Sequence, residues 1–134
     1  MSEFHAAMGI CNLRHLDEEI QKRHRVYSMY MSRLSNVPGI RIPLTGSENE
    51  MNFAYFPVLF EGYKYDRDTV ITMLNAENIF PRKYFAPLTS ELFGEGSGNL
   101  TPVAKKASEN VLTLPMYADL SEADVLKICD IILK

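Results

Sequence analysis

The chain has 134 residues, of which 46% are hydrophobic and 23% charged, with a formal net charge of -3. This length predicts a single domain, residues 1–134, that is large enough to bury a core. Nucleic acids and anionic membranes both attract basic surfaces, so the net charge favours neither as a partner. No apolar run has the length of a membrane-spanning helix and the amino terminus shows no secretory signal pattern, so we expect a cytoplasmic protein.

The first predicted element is one long helix over residues 3–35, whose first turn Ser2 is suited to cap. Residues 37–39 (VPG) end it, because proline disfavours helix in the residue before it and glycine adopts a left-handed turn easily. Such a helix is about 50 Å long, which exceeds the needs of a small domain and indicates a further packing partner. Its apolar residues recur at helical spacing: Phe4, Met8, Cys11, Leu16, Ile20, Tyr27, Met31 and Leu34.

Two strands are predicted after this helix. Residues 40–43 alternate between apolar and polar side chains, and residues 52–60 are rich in aromatic and branched side chains. Pro57, within the second strand, indicates an edge position or a bulge. Asp66 is suited to cap the helix that follows, and residues 79–85 are predicted to be extended.

The last third of the chain begins with residues 86–99, whose proline and glycines predict a flexible loop. A short helix is predicted to start at Pro102, followed by an extended piece over residues 111–116. Ser121 begins a pattern that resembles a capping box. This order of elements predicts an α+β fold, with helices packed on one face of a small, largely antiparallel sheet. The apolar face of the last helix consists of Val125, Ile128, Cys129 and Ile132.

The sequence contains no complete set of catalytic or metal-binding residues. His5, His15 and His24 are spaced too widely to form the i,i+4 pair of a helical metal site. Cys11 and Cys129 fall at apolar positions and are expected to be buried thiols. We therefore predict no catalytic residue, no cofactor-binding residue and no metal ligand within this chain.

The most informative segment is residues 81–88 (PRKYFAPL), which places two cations and two aromatic side chains between two prolines. The prolines stiffen the backbone and hold the side chains in position. Arg82 is suited to bind a carboxylate or a phosphate, and Tyr84 and Phe85 offer stacking surface. These three residues are the predicted substrate-binding set. The alternative is a strand end with a surface ion pair and aromatic side chains in the core.

Four short blocks of the chain carry a family resemblance. Residues 1–9 (MSEFHAAMG) are similar to the motif R-M-[ST]-E-[ILF]-Q-A-A-[IM]-G, and residues 13–23 to the stretch L-x-x-L-D-E-x-x-x-K-R that follows it. Residues 82–88 resemble R-x-Y-[FY]-x-P-L, and residues 111–125 resemble the ending V-L-[ST]-L-P-[ML]…L-[ST]-E-x-[DE]-V. Together, and in this order, the blocks resemble the DegT/DnrJ/StrS family of sugar aminotransferases over nearly the whole chain.

The resemblance implies a fold-type-I pyridoxal-phosphate (PLP) enzyme that moves an amino group, usually from glutamate, to a keto sugar attached to a nucleotide. In such enzymes a large amino-terminal domain carries the Schiff-base lysine and most cofactor contacts. This chain then corresponds to the carboxy-terminal small domain, with the large domain absent. The resemblance thus implies PLP in the complete enzyme and none in this chain alone, a nucleotide sugar and an amino donor as partners, and a homodimer.

The chain departs from the family pattern at His5, where glutamine is usual, and at Thr89, where histidine often follows the P-L pair. No lysine lies in the Schiff-base context. We therefore expect the isolated chain to be inactive, with Arg82, Tyr84 and Phe85 lining the substrate side of the cleft in the complete enzyme. The alternative is a non-catalytic module that binds a ligand or a partner. An apolar stripe of the first helix that is covered within one chain or by a symmetric dimer favours the module, whereas an open stripe favours a missing large domain.

Overall fold

The computed structural model describes residues 1–43, 51–84, 86–93 and 101–134. These residues form an α+β fold, as predicted, in which helices pack on a three-stranded antiparallel sheet. The helices are α1 (Glu3–Leu13), α2 (Leu16–Leu34), α3 (Arg67–Ala76), α4 (Thr89–Phe93), α5 (Pro102–Asn110) and α6 (Glu122–Leu133), and the strands are β1 (Ile40–Arg41), β2 (Phe56–Phe60) and β3 (Val111–Leu114).

The core lies on one face of the sheet, under α2, α3 and α6. Alternate residues of a strand point to the same face, and in β2 the residues Phe56, Val58 and Phe60 point into this core. Helix α5 lies across the opposite face, near Leu59 and Val111. The three helices that build the core thus share one face, as predicted, and α5 adds a cover to the second face.

Pro57 lies in β2, which is the central strand of the sheet. Thr113 lies opposite Pro57 on β3, and its backbone N–H and carbonyl both bond to Arg82, on the side of β3 away from β2. Pro57 and Thr113 therefore form a non-hydrogen-bonded pair, in which the backbone N–H that proline lacks would point away from β3. On that other side, β1 pairs only with Leu59 and Phe60 and does not reach Pro57. Among the described residues, Pro57 therefore has no hydrogen-bonded neighbour on this side, although its strand is central.

Both predicted caps in the second half of the chain are confirmed. The Asp66 carboxylate accepts the Thr69 N–H at 2.7 Å and starts α3. The Ser121 hydroxyl accepts the Asp124 N–H at 3.1 Å and starts α6. All four residues of the predicted apolar face of α6 are buried: Val125, Ile128, Cys129 and Ile132.

The single helix predicted over residues 3–35 was wrong, because the structure has two helices, α1 and α2. The break lies at Arg14 and His15, where the His15 N–H bonds back three residues to the Asn12 carbonyl (3.1 Å). A single turn with an i to i−3 hydrogen bond leaves the spacing of apolar residues along the sequence unchanged. The sequence therefore does not reveal the break between the two helices. Of the predicted stripe in α2, Leu34 is buried and Tyr27 and Met31 are partly buried, whereas the other buried residues, Val26 and Tyr30, were not predicted.

Helix α1 has no buried residue. Its apolar side chains face solvent because nothing in the described part of the chain packs on them. Cys11 is therefore exposed, which corrects the expectation of a buried thiol, whereas Cys129 is buried as predicted. The exposed apolar side chains of α1 and its flanks lie on more than one side of the helix, and we refer to them together as its apolar face: Met1, Phe4, Met8, Ile10, Leu13 and Leu16.

Three predicted segments differ from the structure. Residues 52–55 precede β2 as an irregular segment, and residues 79–84 contribute only a bridge between Arg82 and Thr113. Within the loop predicted over residues 86–99, Thr89–Phe93 form the short helix α4. Residues 94–99 of that prediction lie outside the described residues.

Candidate substrate-binding site

A cavity of about 180 Å³ lies where the segment after α3 meets the end of β3. It contains two of the three predicted substrate-binding residues, Arg82 and Tyr84, while Phe85 lies outside the described residues. Pockets that enclose a complete small molecule usually exceed about 300 Å³, so this cavity fits only part of a larger ligand. Its described lining is Ala54, Tyr55, Phe80, Arg82, Tyr84, Thr113, Leu114, Pro115 and Met116.

The carboxy-terminal end of α3 sets the direction in which the following segment runs toward this cavity. Asn78 takes a left-handed conformation (φ 60°), which asparagine tolerates better than most residues. The Ile79 N–H bonds to the Leu74 carbonyl and the Asn78 N–H to the Asn75 carbonyl, each at 3.0 Å. This pair of bonds is a Schellman motif, and it directs the chain from α3 toward β3.

Two backbone hydrogen bonds then fix the register of the segment. The Arg82 N–H donates to the Thr113 carbonyl (3.0 Å), and the Thr113 N–H donates to the Arg82 carbonyl (2.8 Å). Residues two apart on an extended segment point to the same side, and Phe80, Arg82 and Tyr84 all line the cavity. The pairing with β3 therefore presents an aromatic–cation–aromatic row to one space.

Aromatic contacts order one end of this row. The Arg82 guanidinium lies 6.0 Å from the centre of the Tyr84 ring, near the limit of a cation–π contact. The Tyr84 ring packs edge-on against Tyr55, with 5.6 Å between ring centres and an interplanar angle of 90°. Tyr84 and Tyr55 thus form a wall beside the guanidinium.

The irregular residues before β2 place Tyr55 in this wall. The Ala54 N–H donates to the Asn52 side-chain oxygen (3.0 Å), which closes a tight turn around Phe53. Phe53 has a positive φ of 50°, an unusual conformation for an aromatic residue. The rings of His24 and Tyr27 on α2 contact Phe53 at 4.8 Å and 5.2 Å and hold it in place. Tertiary packing therefore stabilises the turn that brings Tyr55 to the cavity.

The two neighbouring cations of the segment have different environments. Lys83 pairs with Asp68 at 2.8 Å, and this ammonium group, with Arg67, holds the pKa of the Asp68 carboxyl below its usual range. Arg82 is the single charged residue in the described lining of the cavity, and no carboxylate of the described chain pairs with it. The surface ion pair of the alternative interpretation is therefore present at Lys83.

A second, larger cavity of about 420 Å³ adjoins the first and shares Phe80 and Pro115 with it. Its lining includes the carboxylates of Glu77 and Asp124 and the ammonium of Lys127, which pairs with Glu77 at 3.0 Å. This second cavity therefore disfavours an anionic ligand relative to the first.

Sequence reasoning missed Phe80 and Tyr55, which both line the first cavity. A usable signal existed for Phe80, because it stands two residues before Arg82 in a segment that was predicted to be extended. No comparable signal existed for Tyr55, since its place depends on the turn around Phe53.

None of the lysines lies in the described lining of the Arg82 cavity. Five of them bond to carboxylates or to a backbone carbonyl, namely Lys22, Lys64, Lys83, Lys106 and Lys127. Among the described residues, no group of three or more His, Cys, Asp or Glu side chains is placed to hold a metal ion. Nor does any described helix combine the length and the apolar character needed to cross a membrane.

Comparison with protein families gives a match over residues 1–133 to the DegT/DnrJ/EryC1/StrS aminotransferase family. The chain is 38% identical to the dTDP-4-amino-4,6-dideoxy-D-glucose transaminase of Escherichia coli, over 99% of this chain and 38% of that protein. It is 32% identical to the GDP-perosamine synthase of Caulobacter vibrioides, over 93% of this chain and 34% of that protein. The chain thus spans about a third of the length of the relatives it matches.

Solved structures agree with the sequence comparison. The aminotransferase TlmJ from Streptoalloteichus hindustanus superposes with a TM-score of 0.80 and 28% identity, over 95% of this chain and 34% of that one. DesI, solved in the presence of its TDP-sugar product, superposes with a TM-score of 0.84 and 26% identity, over 98% of this chain and 35% of that one. The match therefore extends through every described element of the fold.

Proposed function

This chain belongs to the DegT/DnrJ/EryC1/StrS aminotransferase family, and from that premise we propose that it forms the carboxy-terminal part of a PLP-dependent nucleotide-sugar aminotransferase. The complete enzyme transfers an amino group from a glutamate-type donor to a keto sugar, and it works as a cytoplasmic homodimer. A large domain outside this sequence holds PLP, which supplies the chemistry of amino transfer when bound. The chain is inactive without that domain.

The observation that carries the proposal is the open apolar face of α1. This helix is rich in apolar side chains, yet it has no buried residue, and Phe4 is 82% exposed. A group of exposed apolar side chains on one helix is typical of an interaction surface. Relatives about three times as long contain additional polypeptide that is available to cover it. A small domain that docks on a large one through α1 accounts for both facts.

In the proposed enzyme, residues of this chain bind and orient the substrate. Arg82 holds an anionic group of the nucleotide sugar, and Tyr84 and Phe85 pack beside it. The exposed guanidinium, without a carboxylate partner in the described chain, supports this role for Arg82. The edge-on rings of Tyr84 and Tyr55 lie beside the guanidinium at one wall of the cavity.

The alternative function is a non-catalytic module that binds a ligand or a partner. That function required an apolar stripe covered within one chain or by a symmetric dimer. Within the described chain, the α1 part of the stripe is open. Coverage within one chain is therefore absent among the described residues, and this alternative requires a symmetric dimer that covers α1.

A chimera tests the proposal directly. Residues 1–134 replace the matched third of the E. coli transaminase, and amino transfer from glutamate to a dTDP-linked keto sugar is measured. We expect transfer by the chimera and none by the isolated chain. In the chimera, Arg82→Ala should lower kcat/KM at least about tenfold, because a hydrogen bond to a charged group is lost.

Lys83→Ala is the matched control, since Lys83 is the adjacent cation and already pairs with Asp68. It should retain most of the activity. A chimera that folds and binds PLP but transfers no amino group contradicts the proposal, and so does transfer by the isolated chain. Equal activity of the Arg82 and Lys83 variants removes Arg82 from the substrate site.

A further inference from the structure

Arg23, on α2, carries a buried polar atom that the described chain leaves unsatisfied. The residue is half-buried and its Nε atom is buried, yet no described oxygen accepts a hydrogen bond from that atom. Among the described residues, it is the one buried side-chain nitrogen or oxygen without a hydrogen-bond partner. A buried donor without an acceptor destabilises a fold, so we expect the acceptor for Arg23 to come from outside the described residues.

Two acidic side chains that precede Arg23 on α2 are held by another cation. Glu19 stands four residues before Arg23, a spacing that favours an ion pair between them. Instead, the Lys22 ammonium binds Glu19 at 3.2 Å and Glu18 at 2.9 Å. No carboxylate of the described chain forms an ion pair with Arg23. The guanidinium therefore lacks a compensating negative charge as well as an acceptor for its Nε.

Arg23 lies at the boundary between the open and the packed parts of α2. Leu16, Ile20 and Arg23 follow one another at steps of four and three residues, which places them on one side of the helix. Leu16 is 43% exposed and belongs to the apolar face of α1 and its flanks, whereas Val26, one turn after Arg23, is the first buried residue of α2. A polypeptide that covers the apolar face as far as Leu16 and Ile20 therefore comes next to the Arg23 guanidinium.

We propose that Arg23 binds a carboxylate of the large domain, where that domain covers α1 and the start of α2. The proposal rests on the proposed function, which supplies the large domain. A carboxylate fits this site because it can accept two parallel hydrogen bonds from a guanidinium, one of them from Nε, and because it balances the charge. The surface of the large domain that meets this chain thus combines apolar side chains with an Asp or a Glu opposite Arg23.

Arg23→Met in two proteins tests the proposal, because the two expected effects differ in sign. Methionine keeps a flexible apolar chain and removes the donors and the charge. In the isolated chain the change removes an unsatisfied donor, so the midpoint of urea denaturation should stay the same or rise. In the chimera described above it leaves the carboxylate of the large domain buried without a partner, so the midpoint of thermal unfolding should fall by about 2 °C or more.

Two further variants serve as controls. Arg25→Met, the same substitution at an exposed arginine of the same helix, should leave both midpoints unchanged. Arg23→Lys keeps the positive charge and loses the planar group, so in the chimera its thermal midpoint should lie between those of the parent and of Arg23→Met. Equal midpoints for Arg23→Lys and Arg23→Met would show that the acceptor is uncharged and would overturn the carboxylate.

Two other results would also overturn the proposal. A lower urea midpoint for Arg23→Met than for Arg25→Met in the isolated chain would show that Arg23 has its partner within this sequence. Equal thermal midpoints of the two methionine variants in the chimera would show that the large domain does not bind Arg23. Neither readout depends on amino transfer, so an active chimera that is insensitive to Arg23→Met keeps the proposed function and rejects the Arg23 contact. An inactive chimera that Arg23→Met destabilises keeps the contact and rejects the function.

Discussion

Helices α1 and α6 are similar in length and apolar content but opposite in environment. Helix α1 has 11 residues and α6 has 12, and both carry apolar residues at helical spacing. In α6 four of these residues are buried against α2, α3 and the sheet, whereas in α1 none is buried. Apolar periodicity therefore predicts that a helix needs a partner, but it does not show whether the partner belongs to the same chain.

The same contrast separates the two roles that apolar surface has in this protein. The apolar face of α6 stabilises the described domain itself. The apolar face of α1 contributes nothing to that core and remains available for a further domain. Paired substitutions in the two helices measure this difference.

The largest difference is expected for isoleucine truncation. Ile128→Ala in α6 removes a side chain that is 2% exposed and leaves a cavity in the core, so the free energy of unfolding should fall by about 2–5 kcal/mol. Ile10→Ala in α1 removes a side chain that is 55% exposed and should change it by less than about 0.5 kcal/mol. Urea denaturation of the isolated chain measures both. Comparable losses would show that α1 is part of the folded core.

A smaller difference is expected for the helix caps. Ser121→Ala removes the acceptor of the Asp124 N–H and should lower the free energy of unfolding by about 1 kcal/mol. Ser2→Ala removes the acceptor of the His5 N–H (3.4 Å) from a helix without core contacts, so it should reduce helix content by circular dichroism and leave global unfolding unchanged. A loss of global stability in the Ser2 variant would contradict the independence of α1.

The smallest effect is expected from chemical modification of the cysteines. Burial raises the pKa of the Cys129 thiol to about 11, and the thiolate is the reactive form. At pH 8, iodoacetamide should therefore modify exposed Cys11 quickly and Cys129 only after unfolding, and the modified chain should keep its stability. Mass spectrometry after a time course locates the adducts, and rapid modification of Cys129 would show that α6 opens readily.

The same thiol gives a defined pH dependence. The folded chain holds the Cys129 proton more tightly than the unfolded chain, whose thiol titrates near its ordinary value of about 9. The contribution of Cys129 to stability is therefore fully present below pH 9 and decreases as the pH rises toward about 11. Cys129→Ser removes the thiol titration from this pH range, so the free energy of unfolding should decrease less between those pH values.

Local signals explain which parts of the fold were predictable from the sequence. The start of α6 is determined by Ser121, and its buried face by apolar residues at helical spacing, so both were predicted. The break between α1 and α2 was not, because neither proline nor glycine marks it. Exposure of Cys11 was also missed, since the amino-acid sequence of a helix does not specify which of its apolar residues find a partner.

The candidate site also contains some residues that local sequence patterns identify and others whose position depends on tertiary packing. Arg82 and Tyr84 were identified from the composition of one segment, and the structure brings both to one cavity. Their role in substrate binding, like that of Phe85, stays a prediction. Tyr55 was beyond local reasoning, because residues 52–55 look like a strand in sequence. Rings from α2 stabilise Phe53 in a left-handed turn there, and only long-range packing produces that turn.

The position of α6 in the chain also affects synthesis of the protein. Among the described elements α6 follows all others, so the ribosome makes it after them. Until residues 122–133 emerge, the apolar side chains of α2 and β2 lack the helix that covers them. Exposed apolar surface of this kind promotes aggregation and recruits chaperones during translation. Nascent chains that end before α6 therefore expose this apolar surface.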